Sequence, residues 1–148
     1  MKQKFPTVMA FVFGALPFLI GGVQNWYMLT YMDSVLPYGL ISLAMLLLWG
    51  CIAFFLHNRN QKTAEIVISL NLIPVLDLLL VGVQELIYHA FWANRVGLWS
   101  QLFYLPMINL GVKLTIGSHS MFPAYAACFV LMAAVSFAGC KLKQRIQK

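Results

Sequence analysis

The stretch from Ala64 to Tyr88, AEIVISLNLIPVLDLLLVGVQELIY, decides the fold. At about 1.5 Å per helical residue it is long enough to cross a hydrocarbon core of about 30 Å, and apart from Glu65 at its start it keeps acidic side chains out until Asp77. Three more apolar runs of spanning length flank it: about Thr7 to Met28, Pro37 to His57 and Ser120 to Cys140. Pro6, Pro37 and Pro123 stand at helix starts, where a missing N–H costs nothing, and Ser34 and Ser120 are N-cap candidates. With 61% hydrophobic and 9% charged residues, against about 25% charged in soluble domains, the chain needs lipid as its solvent. The expected fold is an all-α integral membrane domain of four transmembrane helices occupying residues 1–148, with no separate soluble domain.

Orientation follows from the cations. Lys2, Lys4, Arg59, Lys62, Lys141, Lys143, Arg145 and Lys148 fall on one side of the four spans, and Arg95 and Lys113 on the other. Eight of ten on one side predicts both termini in the cytoplasm of a plasma or inner membrane. The same clustering at the ends of apolar runs argues against nucleic-acid binding, despite a net charge of +6. Lys2 and Lys4 ahead of an apolar run have the outline of a secretory signal, but the run continues to Val23 without an A-x-A site, so an uncleaved first helix is expected.

The segment from Trp92 to Gly117 is apolar enough for a fifth span over 98–116 to be weighed. It carries Gln101, Pro106, Asn109 and Lys113, and an odd number of crossings would put one basic terminus outside. Leu98, Trp99, Leu102 and Phe103 recur at helical spacing, so a helix over about 97–105 is expected, lying in the outer interface or re-entering. Trp26, Tyr27, Tyr31, Tyr88, Trp92, Trp99 and Tyr104 would form an aromatic belt there, with Trp92, Trp99 and His119 at the outer interface.

Gly22-Val23-Gln24 in the first run is matched by Gly82-Val83-Gln84 in the third. Pro17 and Pro74 lie upstream of each as expected kinks, and Gly50-Cys51 is matched by Gly139-Cys140. The pattern is that of two tandem helical hairpins in parallel repeat. Ala10 with Gly14, and Ala134 with Ala138, have the small-xxx-small spacing that lets helices approach closely.

The third run also holds the candidate chemistry: Asn71, Asp77, Gln84, Glu85 and His89. With Asp77 at zero, a regular helix puts Gln84 at about −20°, Glu85 at about 80° and His89 at about 120°, one face suited to a ligand or to a proton or cation path. Glu85 lies about 12 Å beyond Asp77 along the axis. A carboxylate at mid-span costs about 2.5–3.5 kcal/mol on insertion scales, so Asp77 must pair, protonate or meet water. Alternatively Asn71 and Asp77 only tie helices together, and Glu85 pairs with Arg95 or Lys113. His57 is expected to be solvated in an inner turn. A metal site from Glu85, His89 and His119 is not expected, nor is any cofactor. Cys51, Cys128 and Cys140 contain no CxxC, so a disulfide framework is not expected either.

No HExxH and no nucleophile beside a base on a shared face is present, which sets catalysis last. A non-catalytic accessory, regulatory or small-ligand-binding role in a membrane complex is expected, with an oligomeric proton- or cation-coupled transporter or channel as the alternative. The partners implied are membrane lipid, anionic lipid at the basic tail included, and either further copies of the chain or another membrane protein.

Overall fold

A computed structural model of the chain describes residues 5–33, 35–58 and 61–147. Lys2, Lys4, Ser34, Arg59 and Lys148, used above for orientation and capping, lie outside the described residues. The described elements are helical: α1 (Phe5–Phe13), α2 (Leu16–Thr30), α3 (Tyr38–Leu56), α4 (Thr63–Gly82), a π-helical turn (Val83–Ile87), α5 (Arg95–Tyr104), α6 (Ile108–Leu114) and α7 (Phe122–Ile146). Four stretches among them are long and apolar enough to cross a membrane: Pro6–Thr30, Tyr38–Leu56, Thr63–Ile87 and Phe122–Ile146. The fourth runs six residues past the boundary expected from hydropathy, because Lys141, Lys143 and Arg145 continue the same helix.

Both interior prolines act on the backbone, in different ways. Pro17 has no N–H to give to the carbonyl of Phe13, and the first stretch breaks there into α1 and α2. The joint is tightened by i→i−3 bonds, Ala15 N to Val12 O and Phe18 N to Ala15 O, both 3.1 Å. Pro74 stays inside α4 and frees the Leu70 carbonyl instead. That carbonyl faces Gly14: a Cβ built on Gly14 would lie 2.9 Å from Leu70 O, so only glycine lets α1 and α4 come this close. Ala10, fully buried, continues the contact.

The four stretches form a ring in which α1 packs on α3 and α4, and α7 packs on α3 and α4. One end carries Lys62, Lys141, Lys143 and Arg145 and is called the basic end; Gln144 Nε2 donates to Thr63 Oγ1 there at 2.8 Å, tying α7 to the start of α4. In that half the helices touch directly. A Cβ on Gly139 would sit 2.3 Å from Gly50 O, so α3 and α7 cross backbone to backbone. The two glycines that matched in the proposed repeat are thus contact partners. Ala134 and Ala138, by contrast, are exposed, because the contact stripe of α7 runs through Cys128, Met132, Ser136 and Cys140.

At the opposite, loop end the bundle opens and takes in a helical hairpin. Neither α5 nor α6 is long enough to span, and Leu105 to Met107 turn the chain between them, so 98–116 is not a fifth span. α5 wedges between α2 and α4, while α6 lies against α3 and α7. The wedge seats on backbone: a Cβ on Gly21 would fall 1.9 Å from Leu102 O, and one on Gly111 would fall 2.4 Å from Ala124 O. Its tip is pinned by three carbonyl contacts. Tyr104 Oη donates to Pro74 O (2.7 Å), Ser42 Oγ to Pro106 O (2.9 Å) and Cys128 Sγ to Met107 O (3.3 Å). Since Pro74 lies midway along Thr63–Ile87, the hairpin reaches the middle of the bundle. Tyr104 therefore does not belong to the aromatic belt; it is fully buried, whereas Trp26, Tyr31, Tyr88 and Trp99 are exposed.

Candidate functional site

α4 places its polar side chains at three levels. Nearest the basic end, Asn71 is consumed by structure: it accepts from Trp49 Nε1 (3.4 Å) and donates to Val67 O (2.8 Å) and Ser136 Oγ (2.9 Å), joining α3, α4 and α7. Both of its donors and one lone pair of its oxygen serve the helix junction.

Asp77 comes next, one turn beyond Pro74. It is 6% exposed, and its Oδ2 is buried without a hydrogen-bond donor. Tyr104 and Tyr125 lie within electrostatic reach of the carboxylate, their rings edge to face at 5.6 Å. The Tyr104 hydroxyl is already given to Pro74 O, and the Cys128 thiol to Met107 O. Helix ties of the Asn71 kind are thus absent at the Asp77 Oδ2. The carboxylate stands under the tip of the hairpin with capacity left for a proton, a cation or the donor of a small ligand.

The third level breaks the face drawn from regular helical geometry. From Val83 the helix widens to i→i+5 bonding, with Tyr88 N donating to Val83 O at 3.2 Å, which changes the angular step per residue. Gln84 is fully buried and spent on the wedge: Nε2 donates to Ser100 Oγ (2.9 Å), and Oε1 accepts from Trp92 N (3.0 Å). Glu85 turns to α7 rather than to Arg95 or Lys113. Its Oε1 accepts from Ser120 Oγ and from Met121 N (2.6 Å), placing a carboxylate where the positive end of that helix dipole favours it. His89 adopts a left-handed backbone, φ +50°, and is exposed, as is His119. Among the described residues no three His, Cys, Asp or Glu side chains gather as a metal set. Trp92 is half-buried and Trp99 exposed, its ring edge to face with Phe18 at 5.8 Å. Gln84 is thus tied to the wedge and Glu85 Oε1 to the start of α7, while Asp77 Oδ2 and Glu85 Oε2 are buried without a donor.

His57 corrects another expectation. It lies just past the last residue of α3, 2% exposed, with neither ring nitrogen hydrogen-bonded, in a cleft of about 340 Å³ shared with Pro6, Lys143 and Gln147. Burial, and then the charges of Lys141 and Lys143, hold its pKa below the usual 6.5. The fold thus favours neutral imidazole. Above that pH both folded and unfolded chains carry it neutral; as pH falls through 6.5 the unfolded chain binds a proton that the fold resists, and stability drops. Unfolding midpoints in SDS-mixed micelles are expected to fall between pH 7.5 and 5.5, and His57→Phe to flatten that slope. An unchanged slope in the variant would place the pH dependence elsewhere.

No protein-family model, no curated protein sequence and no solved structure matches this chain, so its function is argued from the geometry above.

Proposed function

We propose that the chain is a four-span protein of the plasma or inner membrane with both termini in the cytoplasm, and that it serves as a non-catalytic accessory or small-ligand-binding subunit of a membrane complex. Four apolar stretches of spanning length support the first part, and the gathering of Lys62, Lys141, Lys143 and Arg145 at one end supports the orientation. The observation that carries the role is the unpartnered buried Oδ2 of Asp77. A mid-span carboxylate with no donor costs stability and contributes none, which is the signature of a group kept for what it binds. Asn71, Gln84 and Glu85 hold the frame around it.

The test is purification from native membranes in mild detergent after crosslinking, wild type beside Asp77→Asn. The copurifying ligand or partner is expected to fall at least about tenfold in the variant, the loss of one charge-assisted hydrogen bond of about 1.5–3 kcal/mol. Equal recovery from both would remove Asp77 from the role.

The same lone carboxylate favours a second reading, a proton- or cation-coupled transporter. Four helices filled by a wedge leave no wide interior, so that reading needs an oligomer to enclose a path. Flux in proteoliposomes that Asp77→Asn abolishes would establish it in place of the first.

A further inference from the structure

We infer that the groove between α3 and α7 at the basic end binds one anionic glycerophospholipid, its acyl chain along the groove and its phosphate between Lys141 and Arg145. The groove encloses about 840 Å³, within the range of about 300–1,000 Å³ typical of ligand clefts, and its walls are apolar until the last turns of α7. Leu47, Cys51 and Phe54 line it from α3, and Ala138, Lys141 and Arg145 from α7.

The backbone contact of Gly50 with Gly139 creates the groove. Because the helices meet without side chains between them, the larger residues on either side stand apart and leave a slot. The same contact closes the floor, so the slot opens outward to where lipid would lie.

Charge selects the occupant. Lys141 and Arg145 are four residues apart on one face of α7, both exposed and both at the mouth. Lys141 Nζ is held by Gln144 Oε1 at 3.2 Å and lies 5.5 Å from the Phe137 ring, contacts that leave donors free. Against these two positive charges stands the negative end of the α7 dipole, worth about half a charge, so the mouth is net positive. Lys143 does not line the groove; its Nζ lies 4.7 Å from the Phe54 ring, and the residue lines the cleft beside His57 instead. An apolar slot ending in two cations fits a chain with a phosphate at its head. A second copy docked two-fold through this same groove would bring its own Lys141 and Arg145 into the same place and be repelled.

This inference needs the chain to lie in a bilayer but not the role given to Asp77. Carbonate extraction, which leaves an integral protein in the membrane pellet, separates the failure of one from the failure of the other. The experiment uses the full chain in neutral detergent, titrated with phosphatidylglycerol or phosphatidylcholine of the same acyl composition. Two readouts run together: lipid adducts in native mass spectrometry, and maleimide labelling of Cys51, which is exposed in the groove while Cys128 and Cys140 are buried.

Phosphatidylglycerol is expected to add one molecule per chain and to slow Cys51 labelling, with a preference over phosphatidylcholine of roughly thirtyfold from two interfacial cations. K141Q/R145Q, both at exposed positions, should bring that preference close to unity. K62Q, at the same end but off the groove, should leave it unchanged, and inorganic phosphate should not protect Cys51. Equal binding of both lipids, an unchanged preference in the double variant, or the same loss in K62Q would each overturn the site. So would a dimer that shields Cys51 and persists when lipid is added.

Discussion

Gly139→Leu is expected to leave no stable bundle. The added Cβ alone would lie 2.3 Å from Gly50 O and 3.3 Å from Phe54 N, both backbone atoms, so no rotamer change relieves it. Overpacking ordinarily costs about 1–3 kcal/mol where side chains give way; here α3 and α7 must separate as bodies, and more than about 3 kcal/mol is expected. The measurement is the midpoint of SDS unfolding, with monodispersity on size exclusion beside it. Ala138→Leu, one residue away and facing outward, should shift the midpoint by no more than about 0.5 kcal/mol. Equal midpoints for Gly139→Leu and wild type would refute the crossing.

Replacing Asp77 should have the opposite sign. Most buried polar side chains of this bundle tie helices together, and removing them should destabilise it. Asp77 has a buried oxygen with no donor, so Asp77→Leu is expected to raise stability by about 1–3 kcal/mol, the cost of burying a polar group without a hydrogen bond. Asn71→Leu is the contrast. It strands the Trp49 N–H and takes the donor from Ser136 Oγ, whose own hydrogen stays on Ala133 O, and should lower stability by about 1–3 kcal/mol. If Asp77→Leu is as damaging as Asn71→Leu, the carboxylate is a structural tie and the binding role fails.

The four long helices were legible because length, apolarity and flanking charge agree along each of them. Pro17 and Pro74 were legible for the same local reason, the missing N–H, although whether a proline breaks a helix or rides inside it depends on what packs opposite. The site was less so. Asp77 stands out in sequence by its cost, but its loneliness does not, since that depends on Tyr104 giving its hydroxyl to Pro74 O instead. The π turn at Val83 upset the angular reading of Gln84, Glu85 and His89, because a face projected at 100° per residue holds only while the helix stays regular.

The wedge itself had a readable start that periodicity alone passed over. Asn94 caps α5 by accepting from Gly97 N at 2.9 Å, an N-cap signal three residues ahead of a glycine that must approach Trp92 O. The burial of His57 is not legible locally, because its neighbours in sequence, Asn58 and Arg59, are polar, whereas its surroundings in space include Lys143 and Gln147 from the far end of the chain.

The hairpin wedge also gives the molecule a taper. Among the described residues six helical segments share the cross-section at the loop end and four at the basic end, so the bundle is broader where the hairpin enters and narrower where α3 and α7 cross.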